Sequence, residues 1–437
     1  MKPAGPSSVA PEQHDNERGG QAVLYLTYDG LTDPLGRSQV LPYLIGLSAR
    51  GHRITILSLE KPDRYERDGP AIRQICAAEG LAWEPLPYRR SPPLLSAIVN
   101  AAALKRAAFR LHRRSPFDLI HCRSYIPAGV GLALKRRFGT PFLFDMRGFW
   151  PDERVEGGLW NLANPIYRRV YRHFKKLETQ LLRQAGHIIS LTNAGKKQLL
   201  TRPEFQPSGP EITVIPCCVE TEHFPLIDGQ TRAAARSILS IPPNAKVAAY
   251  LGSVGTWYLL DEMLDFFRTY QICHPDSVFL FVTPDDPDSI LAISRQKGIS
   301  GERIMIRSAS RIEVPQLMAA ADFGLFFIKP CFSKIASSPT KMGEMFALGL
   351  PVITNAGVGD VAEIVGETGC GVAVEQFDEQ AYLRAIAALE SLPLSAELLR
   401  ETARSLFDVK LGIDRYDSVY RSLMPATDRK ISTSRGA

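Results

Sequence analysis

No stretch of this sequence approaches the roughly 18 consecutive apolar residues that a membrane-crossing helix needs, so a helical span is not its organising feature. The first 20 residues are rich in Pro, Gly and Ser and lack an apolar core, which argues against a secretory signal. They read as a disordered leader, as do residues 425–437 as a tail. Cysteine is scarce and unpatterned. The seven (Cys76, Cys122, Cys217, Cys218, Cys273, Cys331 and Cys370) are odd in number with no C-x-x-C spacing, so neither a disulfide framework nor a zinc site is indicated. A reducing, cytoplasmic setting is expected, with the adjacent Cys217 and Cys218 packing at a strand end. No H-E-x-x-H or Walker loop occurs, and a metal-independent reaction without a cofactor is the expectation.

Charge is present but uneven. The net charge of +6 over 437 residues conceals 29 basic against 19 acidic residues in 21–228, and 21 against 24 in 229–437. Only the front half asks for an anionic partner.

Short β-branched or aromatic runs alternate with helical stretches, the signature of parallel βαβ units. Strands are expected at Ala22–Tyr28, Arg53–Leu59, Asp118–Cys122, Pro141–Met146, His187–Leu191 and Ile212–Ile215, with a helix at Ser38–Arg50. A polar stretch, Val219–Asn244, reads as a boundary. A second set follows at Lys246–Leu251, Ser277–Val282, Arg303–Ile306, Phe323–Ile328, Pro351–Thr354 and Gly371–Val374. The fold class is therefore α/β, with two tandem Rossmann-like, doubly wound domains at 21–228 and 229–405 and a helix at 406–424. In such sheets ligands bind beyond the carboxyl ends of the strands, here in the cleft between domains.

The sharpest local pattern is Ser338-Pro339-Thr340-Lys341-Met342-Gly343-Glu344, running on to Gly349-Leu350-Pro351. Ser338 suits an N-cap, Pro339 the first helical position, and Gly349 the stop. A helix N-terminus offers free N–H groups and a positive dipole end to a phosphate. Lys341 in the first turn is unfavourable for the helix itself, which points outward to a ligand. Glu344, one turn in, is placed to accept from sugar hydroxyls. A capped core helix with a solvated Lys and Glu is the competing reading.

This segment, with Gly357-Val358-Gly359-Asp360-Val361-Ala362-Glu363, resembles the donor-binding signature of family-four retaining glycosyltransferases, which have the two-domain GT-B fold. The resemblance extends from Ala22 to Leu423. It implies transfer of a sugar from a nucleotide-diphosphate donor to an acceptor hydroxyl with retention, and a final helix that returns to the first domain. Glu344 matches the second glutamate of the family's pair, which binds the ribose. The first falls at Ala336, which leaves the donor sugar open. The family's Arg and Lys after the second domain's first strand are missing from Gly252-Ser253-Val254-Gly255. Lys341 and Lys329, then Lys334 and Arg307, are the candidates for the diphosphate. The loop Gly30–Gln39, with Gly36 for close approach and Ser38 as a cap, corresponds to the family's loop over the donor phosphates. Gly357 and Gly359 correspond to the donor-sugar loop.

Arg123 and Arg147 stand where the family commonly has histidines. Asp145, Arg147, Asp152 and Glu153 are expected to face the cleft, with Asp145, Arg147 and Arg123 acting on the acceptor or the reacting groups. Trp150 offers a stacking face. Between Arg89 and Arg137 there are eleven Lys or Arg and one acid, Asp118. The helix Pro165–Gln184 adds a basic face over an apolar one. The excess suits a glycan or lipid-linked acceptor bearing phosphate, or an anionic membrane surface touched peripherally from the cytoplasmic face. Nucleic acid is not expected, for want of aromatic interleaving or a known motif. A role in polysaccharide or glycolipid assembly follows. A nucleotide-sugar epimerase or other GT-B enzyme, and a catalytically silent GT-B scaffold, are the alternatives.

Overall fold

The computed structural model describes residues 20–205 and 208–423; the expected tail, and all but residue 20 of the expected leader, lie outside the described residues. The first sheet holds β1 (Ala22–Thr27), β2 (Arg53–Glu60), β3 (Ala82–Pro87), β4 (Leu119–Arg123), β5 (Phe142–Asp145), β6 (His187–Ser190) and β7 (Ile212–Val214), in the order 3-2-1-4-5-6-7. The second holds β8 (Val247–Leu251), β9 (Val278–Val282), β10 (Ile304–Arg307), β11 (Phe323–Leu325), β12 (Val352–Asn355) and β13 (Gly371–Val374), in the order 10-9-8-11-12-13. Every pairing between these strands is parallel. The central strands are apolar on both faces, as a sheet covered by helices on both sides requires. Phe142 and Phe144 in the first domain, and Phe279 and Phe281 in the second, are fully enclosed. In both sheets the strand order reverses beside the first strand. The crevices at these switch points are the places for ligands.

The final helix, Val409–Ser422, leaves the second domain and packs on the first, against the helix Leu41–Ala49. Tyr416 and Tyr420 are buried there, and Asp417 and Asp414 reach back to His52 and Arg50. A returning helix of this kind holds the domains as one molecule.

Local expectations needed correction in several places. β3 was not anticipated, because Pro85 and Pro87 break its pattern; it is tolerated as an edge strand. The polar stretch contains a helix, Gly229–Ile238, which Asp228 caps by accepting from Thr231 N–H at 2.7 Å. The helix expected from Ser38 is two, Pro34–Gln39 and Leu41–Ala49. Pro42 has no N–H to continue the first, so the chain breaks at Val40. Ser38 therefore lies inside a helix and donates to Pro34 O at 3.0 Å instead of capping.

Candidate functional site

The strand ends of the second domain build one wall of the cleft. Gly252, at φ +103, turns the chain after β8, and the loop beyond it is tied down. The Ser253 hydroxyl donates to Asp285, and Val254 N–H reaches the same carboxylate at 2.6 Å. Ser253 is thus spent on shaping the loop. Tyr258 then pairs with Ile328 beyond the end of β11, and its ring turns back towards Tyr250.

Between those two rings sits Lys341. Its Nζ lies 3.9 Å from the Tyr250 ring centroid and 3.6 Å from that of Tyr258. A Cβ on Gly252 would stand 3.6 Å from this nitrogen. Lys341 is 6% exposed, and its ammonium makes no hydrogen bond within the protein. Burial holds its pKa well below the usual lysine range, with Glu344 pulling the other way. Buried ammonium groups are ordinarily paired and hydrogen-bonded, so a caged, partnerless one marks a place for an anion.

The helix that carries it runs from Thr340 to Ala347, one residue later than the sequence suggested. Pro339 occupies the capping position, and the Ser338 hydroxyl instead accepts from Cys217 N–H at 3.2 Å, across the link between domains. Gly349, at φ +79, ends the helix as expected. Glu344 is largely enclosed, with Arg311 at 3.8 Å. Its pKa is raised by burial, against the pull of Arg311, Lys341 and His223. Thr340 stands at the helix start, half-buried.

The other proposed donor-side cations are not caged in this way. Lys334 donates to Glu153 of the first domain at 2.9 Å and lies over the Trp257 ring. Lys329 and Arg307 are exposed. Gly357 and Gly359, at φ +81 and +45, shape the turn before Asp360; a Cβ on Gly359 would meet Ser337 O at 2.2 Å. Ala336, at the position of the resembled first glutamate, is buried against the first domain.

The opposite wall comes from the first domain. The loop after β1 is pinned by Glu60, whose buried carboxylate accepts from Leu31 N–H at 2.7 Å, Thr32 N–H at 3.1 Å and the Thr32 hydroxyl at 2.5 Å. Gly36 is demanded by this loop itself, since a Cβ there would lie 2.1 Å from Gly30 O. Arg123 ends β4 with its Nε buried and without a hydrogen bond, 3.7 Å from the Asp29 carboxylate. Asp145 ends β5 beneath the returning helix, 1% exposed, and accepts from the Tyr416 hydroxyl at 3.0 Å. Arg123 and His121 lie 3.8 and 3.6 Å from one of its oxygens, and Arg147 lies 3.9 Å from the other. Burial would raise its pKa, but Arg147, His121 and Arg123 together hold it below the usual carboxylate range. Asp145 therefore organises two arginines from below, while Asp152 is taken by Tyr171 and Lys175. Trp150 packs against Trp160 and Phe174.

Carboxylates also fasten the two walls together. Asp360 accepts from Asn193 N–H at 2.6 Å and Ala194 N–H at 2.8 Å, at the start of the helix Asn193–Leu200. Glu156 accepts from Phe332 and Ser333 N–H at 3.1 and 2.8 Å. Each carboxylate takes free N–H groups at a helical start in the other domain. No local sequence pattern signals these contacts or the Tyr250–Tyr258 cage around Lys341. Both are made between residues far apart in the chain.

Two facing Rossmann-like domains, a returning helix and a buried cation at the second switch point have the architecture of the GT-B fold. Residues 43–223 match the model for Glycosyltransferase Family 4 and residues 231–406 that for Glycosyl transferases group 1, so the chain belongs to the family-4 glycosyltransferases. It is 24% identical over 383 residues to a D-inositol 3-phosphate glycosyltransferase of Streptomyces avermitilis, covering 84% of this chain and 77% of that one. The fold is similar to sucrose-phosphate synthase from Thermosynechococcus elongatus (TM-score 0.70, 17% identity, 92% of this chain and 99% of that one). It is also similar to Anabaena HepE in complex with UDP-glucose (TM-score 0.65, 16% identity, 92% and 100%).

Proposed function

We propose that this glycosyltransferase moves a sugar from a nucleotide-diphosphate sugar to an acceptor hydroxyl, with retention and without a metal or other cofactor. The caged ammonium of Lys341 is the observation that carries the reading. Its empty coordination, the Gly252 backbone beside it and the helix start at Thr340 suit a diphosphate, and Glu344 suits the ribose hydroxyls. Donors such as the UDP-glucose held by HepE have this chemistry.

In the transfer, the bond between the anomeric carbon and the β-phosphate oxygen breaks, and its electron pair leaves on the diphosphate. A bond to the acceptor oxygen forms, and the acceptor proton ends on the released diphosphate. Negative charge grows at the leaving group, where preorganised positive charge contributes most. Asp145 and Arg123 belong to the acceptor side, with Asp145 setting the direction of the guanidinium.

The acceptor is proposed to be a glycan or lipid-linked hydroxyl compound in polysaccharide or glycolipid assembly, met at the cytoplasmic face of a membrane. Lys105, Arg106, Arg110, Arg113 and Arg114 stand exposed on the helix Pro93–Arg114 with no carboxylate partner among the described residues, beside exposed Leu95 and Ile98. Such a surface suits anionic lipid headgroups. Among the described residues no helix is long and apolar enough to cross a membrane. Product analysis with donor alone and with donor plus membrane extract tests the reaction. A glycosylated acceptor is expected only in the second; an isomerised donor sugar in the first would instead make the protein an epimerase.

A further inference from the structure

The departing diphosphate carries charge on each phosphate and gains more as the sugar leaves, yet among the described residues Lys341 is the one buried cation of the donor-side wall whose charged group has no hydrogen-bond partner. Lys334 is taken by Glu153, and Arg311 lies between Glu220 and Glu344. The loop after β5 brings another. Arg147 has φ +55 and is followed by Gly148 at φ +106. A left-handed backbone is disfavoured at a large side chain, so the surrounding structure must hold it there.

What the strain achieves is direction. Arg147 Nη2 lies 3.3 Å from Cys217 Sγ, and Cys217 N–H is bonded to Ser338, just ahead of the Lys341 helix. The rest of the loop faces the same way: a Cβ on Gly148 would lie 3.4 Å from Ala336 O, and Phe149 stacks on Phe332 at 4.9 Å. Arg147 is therefore at the seam of the domains. Its carboxylate neighbour, Asp145, is 3.9 Å away, beyond hydrogen-bond distance. A guanidinium has five N–H donors. Here a thiol and a distant carboxylate leave most of them unspent.

We infer that Arg147 reaches across the cleft and supplies the second cation on the leaving diphosphate, so that the phosphate site is built from both domains. This rests on the function proposed above. As the anomeric bond breaks, the electron pair arriving on the β-phosphate oxygen is met by Lys341 from one domain and Arg147 from the other. The site is complete only while Asp360 and Glu156 hold the cleft shut; when the domains part, the arginine leaves with the first domain and the diphosphate is freed.

The test compares wild type, Arg147→Ala and Arg147→Lys, with UDP-glucose and GDP-mannose as donors and UDP and GDP as products. Removing the arginine is expected to lower kcat for donor turnover about 100- to 1,000-fold while the donor KM moves less than about fivefold. Affinity for the free diphosphate, which carries the extra charge, should fall by about tenfold or more, as loss of a charge-assisted contact implies. Added guanidinium should restore part of the turnover of Arg147→Ala. Turnover and diphosphate affinity within about threefold of wild type in both variants overturn the inference. So does a change confined to the acceptor KM, which would put Arg147 on the acceptor. If Arg147→Ala fails to fold, Arg147→Lys decides by the same two readouts. A wild type that neither turns over a donor nor binds UDP or GDP overturns the functional reading itself, and is distinguished because it is measured first.

Discussion

Replacing Lys341 with Met should make the protein more stable and less able to bind its donor. Methionine keeps the aliphatic stem packed and removes only the charge. Lys341 is 6% exposed and its buried ammonium has no hydrogen-bond partner in the protein, so deleting the charge removes a desolvation penalty of about 1–3 kcal/mol. Tyr250 and Tyr258, at 3.9 and 3.6 Å, return about 0.5–2 kcal/mol of that through their ring faces. The net gain is on the order of 1 kcal/mol in the ligand-free protein.

The pH dependence has a definite sign. The folded-state pKa of Lys341 lies below the unfolded value, so between the two the unfolded chain binds the extra proton. Wild-type stability therefore rises with pH across that window, and Lys341→Met should remove this part of the slope. Tyr250, Tyr258 and Phe326 face the nitrogen, and Glu344 on its own helix is the charged group that favours protonation. Binding should change the other way. A lost charge-assisted contact of about 1.5–3 kcal/mol corresponds to a 10- to 100-fold weaker nucleotide diphosphate. Urea titration across pH, with calorimetry on the same samples, reads both effects. A variant that is less stable and binds as wild type would refute the reasoning, because Lys341 would then be a structural cation.

Glu344→Gln should leave the fold intact and weaken nucleotide-sugar binding by about 1 kcal/mol or more, since a carboxylate accepts ribose hydroxyls better than an amide; unchanged calorimetric affinity would remove Glu344 from the site. Its folded-state pKa is raised, so it opposes stability as pH climbs above the unfolded value, and the Gln variant should be the more stable at neutral pH. Asp360→Ala deletes the carboxylate that receives Asn193 and Ala194 N–H; about 2 kcal/mol of closure should be lost, seen as faster hydrogen exchange at 193–195. Exposed cations on the helix Pro93–Arg114 should bring the protein down with anionic liposomes at low salt and release it at high salt; no sedimentation at low salt would dismiss the membrane surface.

The two-domain α/β architecture was legible because central parallel strands read as short apolar runs, such as Val278–Val282, bounded by turns. The edge strand Ala82–Pro87 was not, since exposure on one side and two prolines erase that pattern. The Lys341–Glu344 helix was legible because spacing within one helix fixes which residues meet its N-terminus. Its start was misplaced by one residue because Ser338, a good cap by type, is claimed by Cys217 from the other side of the link. The aromatic cage, the Asp360 and Glu156 clasps and the direction of Arg147 depend on tertiary approach or on a strained φ, neither of which leaves a local pattern.

The central claim is that the second domain's switch point is a diphosphate site built on Lys341. Calorimetry with nucleoside mono- and diphosphates on wild type and Lys341→Met tests it most directly. Wild type should bind a nucleoside diphosphate more than about tenfold tighter than its monophosphate, and the variant should lose most of that difference. Equal affinities in wild type, or a preference that survives in Lys341→Met, would contradict it.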